Sequence, residues 1–243
     1  MKKPPRPAPT KRAAGRLAPS VPAPATGAGT AVANGPGKVR LIAGQWRGTR
    51  LAVASAPGLR PTSDRVRETL FNWLAPMLPG ARVLDLFAGS GALGLEAVSR
   101  GAACAVLVER DPSLASMLRE VAARLPGGDA VSVSQSDAQS WLSSNPDSRF
   151  DLAFVDPPFD AGLWEVVLPL LVPQLAADAW LYLESPLALT PQPGGDFRLH
   201  REGRTREVRF ALYRRTASAD TPAVTLPHDP AGTEPAASNL ATT

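Results

Sequence analysis

Between residues 82 and 213 the chain alternates short apolar runs with segments whose apolar residues recur every three or four positions. The runs at 82–87, 104–108, 130–135, 150–155 and 179–183 have the length and apolar character of strands buried on both faces. Between them lie helical segments. One opens at the glycine turn after residue 87 and ends at Arg100-Gly101. A second spans 112–125, opened by Asp111 with Pro112 at its first position. A short third one follows Asp137 through Leu142, and a fourth covers about 161–171. Residues 197–199 and 207–213 suit a terminal antiparallel pair. Strands alternating with helices predict an α/β fold with a mostly parallel sheet covered on both faces.

Upstream the pattern changes. Residues 39–42 and 50–53 flank Gly44-Gln45-Trp46-Arg47-Gly48, which reads as a β-hairpin. Residues 58–63 read as a loop, with Thr62, Ser63 or Asp64 as the cap of a helix. Val66, Leu70, Trp73, Leu74 and Met77 then share one helical face, with Arg65, Arg67 and Glu68 off it. Pro76 and Pro79 end that helix. Residues 1–37 and 217–243 lack apolar periodicity and are expected to be disordered. The division is therefore a basic tail (1–37), a hairpin and helix (38–80), a main domain (81–216) and a second tail (217–243).

Composition narrows the function. No uncharged apolar stretch approaches the roughly 20 residues of a membrane span, and the basic start lacks the apolar core of a secretory signal. One cysteine, Cys104, most simply a core residue, suits a reducing cytoplasm. With only two histidines, His200 and His228, a His/Cys zinc site is not expected. Charge is uneven: residues 1–40 hold eight Lys/Arg and no acid, while residues 217–243 hold three acids and no base. Within the folded part, Arg47, Arg50, Arg60, Arg65 and Arg67 form one basic cluster and residues 198–215 a second. Either could bind a polyanion such as RNA.

The chemistry gathers at the strand ends, where open α/β sheets bind ligands. The run 150–155 ends in Asp156-Pro157-Pro158-Phe159. Two prolines stiffen that turn and donate no N–H, leaving its carbonyls free to accept. An acid, free carbonyls and an aromatic plane suit a flat ligand carrying an NH2 group. Gly89, Gly91 and Gly94 form GxGxxG after the first strand, and Glu109 ends the next strand 20 residues after Gly89. Glycines admit a close ligand, and the acid can take both ribose hydroxyls. Asp85 lies inside the first strand, and Asp137 ends the third, placed either to accept from an adenine amine or to cap the following helix. These four strand ends match a site for S-adenosylmethionine (AdoMet) better than one for NAD.

Asp156-Pro157-Pro158-Phe159 resembles the (Asp/Asn/Ser)-Pro-Pro-aromatic motif of AdoMet-dependent amino-methyltransferases. The runs 60–74 and 83–97, followed by Ser99-Arg100-Gly101-Ala102, are similar to the bacterial 16S ribosomal RNA guanine-N2 methyltransferase family (RsmD type) over roughly residues 39–215. The resemblance implies a Rossmann-like class I methyltransferase with a seven-stranded, mostly parallel sheet and an N-terminal hairpin and helix that recognise RNA. It implies AdoMet as cofactor, held by Asp85, Ala88, Gly89, Ser90, Gly91, Glu109, Arg110, Asp137, Ala138 and Asp156. It further implies catalysis by Asp156, Pro157, Pro158 and Phe159. The substrate would be one guanine, number 966, in 16S rRNA or the small ribosomal subunit, and the enzyme a cytoplasmic monomer. An N6-adenine or N4-cytosine methyltransferase on DNA or RNA, and a noncatalytic RNA-binding module, are the alternatives.

Overall fold

A computed structural model of the chain describes residues 38–52, 63–159 and 162–216, together with Met1. The remainder of both expected tails, the loop 58–62 with its Arg60, Val53 and Asp160 lie outside the described residues.

The predicted hairpin is present: β1 (Lys38–Arg40) pairs antiparallel with β2 (Arg50–Ala52). Helix α1 (Asp64–Leu74) starts at Ser63, whose side chain accepts from the Val66 N–H. The main domain follows as β3 (Arg82–Asp85), α2 (Ala92–Ser99), β4 (Cys104–Glu109), α3 (Pro112–Arg124), β5 (Val131–Gln135), α4 (Ala138–Ser144), β6 (Phe150–Val155), α5 (Trp164–Leu171), β7 (Leu175–Pro186), β8 (Phe197–Arg204) and β9 (Val208–Arg215). These build one seven-stranded sheet in the order β5-β4-β3-β6-β7-β9-β8, with β9 antiparallel to both of its neighbours. The strand order reverses between the parallel neighbours β3 and β6, which is where such sheets bind ligands.

Three strands run longer than their apolar patterns. Strand β7 begins at Leu175, opposite Phe150, but Ala177 and Asp178 are exposed there and interrupt the run. Strand β8 lies at the sheet edge and is mostly exposed, so its polar composition conceals its length. Strand β9 follows Tyr213 with two arginines and reaches Arg215.

One face of the sheet packs against α1, α2 and α3. Leu70, Phe71 and Leu74 of α1 are fully buried, with Phe71 edge-on to Phe154 at 6.0 Å. Trp73 stacks on Phe210 of β9 at 5.6 Å. The other face packs against α4 and α5, through Trp141, Leu142, Val167, Leu168 and Leu171. Each such side chain, fully buried, stabilises by roughly 1.5–3 kcal/mol.

The hairpin is fastened to α2 by polar bonds. The Ile42 and Ala43 N–H groups donate to the two Glu96 carboxylate oxygens at 2.7 and 2.9 Å. Ser99 Oγ donates to the Ala43 carbonyl and accepts from the Trp46 N–H. Gly44 crosses Ser99 so closely that a Cβ would collide with the Ser99 carbonyl oxygen, and its φ of +81° is also one that side chains resist. The Trp46 indole donates to the Pro126 carbonyl beyond α3.

Arg67 overturns one expectation. Helical periodicity sets it off the apolar face of α1, among the RNA-binding arginines, yet it is 0% exposed. Its guanidinium donates to the Arg40 carbonyl and to Asp64, and stands 3.8 Å from Glu96. Glu96 draws the charge inward, and Arg100 completes the cluster with a 2.7 Å bond to the same carboxylate. Arg67 is therefore an internal anchor between hairpin, helix and domain.

Candidate active site

The four strand ends singled out in the sequence are adjacent in the sheet, in the order β5-β4-β3-β6. After β3 the chain turns through Ala88, whose N–H donates to the Val108 carbonyl, and through Gly89 and Ser90 to Gly91. Gly91 has φ of +74°, the left-handed conformation that starts α2 without a side-chain cap. Glu109 ties this turn to β4. Its Oε2 accepts from the Gly89 N–H and its Oε1 from the Asp111 N–H, both at 2.8 Å. Each oxygen retains a second acceptor position, so the carboxylate can hold the turn and still receive ligand hydroxyls. Arg110 beside it is exposed.

Asp85 is buried below the same turn, accepting from the Gly94 N–H at 2.9 Å. Burial first, and then the Glu109 charge, push its pKa from 3.8 to about 7, against the pull of the Gly94 N–H. A raised acid favours the folded state below its unfolded pKa, and that stabilisation is lost as pH climbs through the folded value. Wild-type stability should therefore fall between about pH 4 and 7, by up to roughly 4 kcal/mol for a shift of this size. Asp85→Asn, which keeps an acceptor for Gly94, should flatten that slope in urea melts across this range. Parallel profiles for the two proteins would show that Asp85 is not the titrating group.

Asp137 caps α4, accepting from the Ser140 N–H at 2.9 Å, with Ala138 buried behind it. Hydrogen bonds from Ser140, side chain before backbone, hold its carboxyl below the usual range. Capping and ligand binding are compatible, because one exposed oxygen faces the helix and the group stays charged.

At the end of β6, Asp156 is half-buried, Pro157 buried, and Pro158 and Phe159 exposed. The Phe159 ring lies 6.1 Å from Trp164 of α5. The Trp164 indole donates to the Glu184 carbonyl at the end of β7. Tyr182 and Glu184, joined by a 2.5 Å hydrogen bond, stand beside this turn although no sequence motif marks them. Burial, then the Glu184 charge and hydrogen bond and the Asp156 charge, raise the Tyr182 phenol well above its ordinary pKa and keep it a neutral donor.

Of the other arginines expected to meet RNA, Arg47, Arg50 and Arg65 are exposed. The second basic cluster is partly internal. Arg209 is buried against Glu202 and Tyr213, and its guanidinium holds the Glu202 carboxyl below the usual range. Arg215 reaches the carbonyls of Val172 and Leu175.

A seven-stranded sheet with one reversed strand near its edge, a glycine turn after the first strand and an acid-Pro-Pro-aromatic turn after the fourth define a Rossmann-like class I methyltransferase. The family profile described as conserved hypothetical protein 95 matches residues 39–214. Ribosomal RNA small subunit methyltransferase D of Escherichia coli is 47% identical over 193 residues, spanning 78% of this chain and 96% of that protein. Its Haemophilus influenzae counterpart is 40% identical over 188 residues, 74% and 95% of the two chains. A solved Escherichia coli structure described as a candidate methyltransferase, yhhF, superimposes with a TM-score of 0.68 at 46% identity, covering 75% of this chain and all of that one. The chain belongs to the ribosomal RNA small subunit methyltransferase D family.

Proposed function

We propose that this protein transfers a methyl group from AdoMet to the exocyclic N2 of one guanine in small-subunit ribosomal RNA, guanine 966 by family resemblance. The observation that carries the reading is the junction of a glycine turn lined by buried acids with an Asp-Pro-Pro-Phe turn on the neighbouring strand. Relatives named as ribosomal RNA methyltransferases support the RNA substrate.

The residues fit this cofactor. Backbone at Gly89 to Gly91 gives it room, Glu109 accepts from the ribose hydroxyls and Asp137 from the adenine amine. Positive charge on the ligand offsets the cost of ionising buried Asp85. Bound AdoMet supplies a methyl group on a cationic sulfur. The N2 lone pair of guanine is delocalised into the ring, so the protein's task is to localise and aim it. Asp156 and the Pro157 carbonyl accept the two N–H hydrogens, favouring a more tetrahedral nitrogen. Phe159 stacks on the base after it leaves its RNA context. Once methylated, the nitrogen would give one proton to Asp156 or to water, and no covalent enzyme intermediate is required.

Mass mapping of rRNA from cells with and without the gene tests this reading. Loss of a single N2-methylguanosine from 16S rRNA is expected. Loss of N6-methyladenosine or N4-methylcytidine would reassign the amine, and an unchanged map would favour a noncatalytic RNA-binding role.

The exposed arginines at the hairpin and the start of α1 meet the RNA backbone in this reading. Every phosphate left without its arginine lowers the salt slope of binding by about 0.7–0.9. Arg47→Ala, Arg50→Ala and Arg65→Ala together should reduce it by roughly 2–3, with AdoMet affinity unchanged. Wild-type kcat/KM across a salt series would move recognition to the exposed arginines of β8.

A further inference from the structure

Three acids share one face of the sheet at its ligand-binding end. In register, Asp85 pairs with Phe154, and Phe154 with Tyr182. Phe154 and Tyr182 touch edge-on at 6.0 Å on the face that carries α1 and α2. Side chains two residues further along a strand return to the same face. Asp156 follows Phe154 by two residues, and Glu184 follows Tyr182 by two. Val155 pairs with Leu183 at the end of this ladder, which places Asp156, one residue past β6, next to Glu184 of β7.

Glu184 is built into this position. Its side chain receives the Tyr182 phenol at 2.5 Å, and its carbonyl receives the Trp164 indole at 2.9 Å. Trp164 in turn packs against Phe159. The aromatic wall and Glu184 are thus held by one set of side chains. A carboxylate offers about four acceptor positions, and the Tyr182 phenol takes one of them while orienting Glu184. The edge of guanine that bears N2 also bears N1–H, a second donor pointing the same way. Adenine carries an acceptor at the corresponding ring nitrogen, and cytosine likewise.

We infer that Glu184, oriented by Tyr182, is the specificity carboxylate of the target-base pocket, accepting the N1–H of the guanine whose N2 amine faces Asp156. The inference rests on the guanine-N2 reading above. It explains why a single acid on the turn would serve several amines while this site selects one. A carboxylate at this place repels the ring acceptor of adenine or cytosine and so discriminates by rejection as well as attraction.

The test uses the full-length protein, AdoMet and small-subunit RNA, free or assembled into particles. The RNA carries at the methylated position either guanosine or 2-aminopurine riboside, which keeps the amine and lacks N1–H. Glu184→Gln preserves size and should lower kcat/KM on guanosine RNA about 10- to 100-fold, the range for a hydrogen bond to a charged acceptor. On 2-aminopurine RNA the variant should at least match wild type, because the bond is already gone and an amide can donate to the bare ring nitrogen. AdoMet affinity by calorimetry should not change. Tyr182→Phe keeps the buried ring but releases Glu184, and should give a smaller loss on guanosine RNA than Glu184→Gln does, with no loss on 2-aminopurine RNA. It carries the test if Glu184→Gln does not fold. Equal losses on both RNAs, or none on guanosine RNA, overturn the role of Glu184 alone. A wild-type product other than N2-methylguanosine overturns the underlying reading, and the proposal with it.

Discussion

Asp156→Ala is expected to abolish methyl transfer while leaving the protein folded and able to bind AdoMet. Asp156 ends β6 half-buried, above Phe154 and Val155, both fully buried, which supply the local packing. Removing its carboxylate therefore opens no core cavity, and relieves a charge that acts on the Tyr182 phenol. In the proposed reaction, what disappears is the acceptor that aims the amine and can receive its proton. Loss of such a group typically costs 10²–10⁴ in rate, and here it acts on a nitrogen with little nucleophilicity of its own. Single-turnover rates should fall by about that range, with most of the AdoMet affinity kept and the melting temperature near wild type. Activity within a few-fold of wild type would remove Asp156 from the chemistry.

The largest stability effect is expected at Glu96→Ala, a residue remote from the transferred methyl. Its carboxylate accepts from two backbone N–H groups and from Arg100, and faces Arg67. Deleting it leaves the buried Arg67 guanidinium with only the exposed Asp64 carboxylate to balance it, and uncaps Ile42 and Ala43. Breaking a buried ion pair in this way costs roughly 3–5 kcal/mol. For a folded region of this size, that lowers the melting temperature by roughly 6–20 °C. Arg100→Ala should cost far less, because its side chain is 15% exposed and Arg67 remains beside Glu96. A Glu96→Ala variant melting within about 2 °C of wild type would show that the hairpin is held by apolar packing through Leu41, Trp46 and Leu51.

The two outcomes reflect what can be read from the chain. Buried strands announce themselves as apolar runs, and the turns that follow them stand out through glycine, proline and acid. That is why Gly89, Glu109 and Asp156 are legible in the sequence. Arg67 and Glu96 are not, because helical periodicity counts apolar positions and treats a charge as a surface residue. A guanidinium and a carboxylate that bury each other leave no trace in that pattern when they stand on different helices. Glu184 is visible only as the end of a strand. Its place beside Asp156 depends on the register of β6 against β7, which the irregularity between Phe150 and Leu152 sets and no local signal encodes.

The bonds that hold the hairpin also impose an order on biosynthesis. Residues 41–46 emerge early, yet their partners Glu96 and Ser99 come more than 50 residues later, and Pro126 follows Trp46 by 80. At ~5–20 residues per second, roughly 4–16 s separate Trp46 from its last partner. For that interval Leu41, Trp46 and Leu51 have no core to enter. The hairpin is thus made well before it can dock, and a chain stalled before α3 would display it to chaperones.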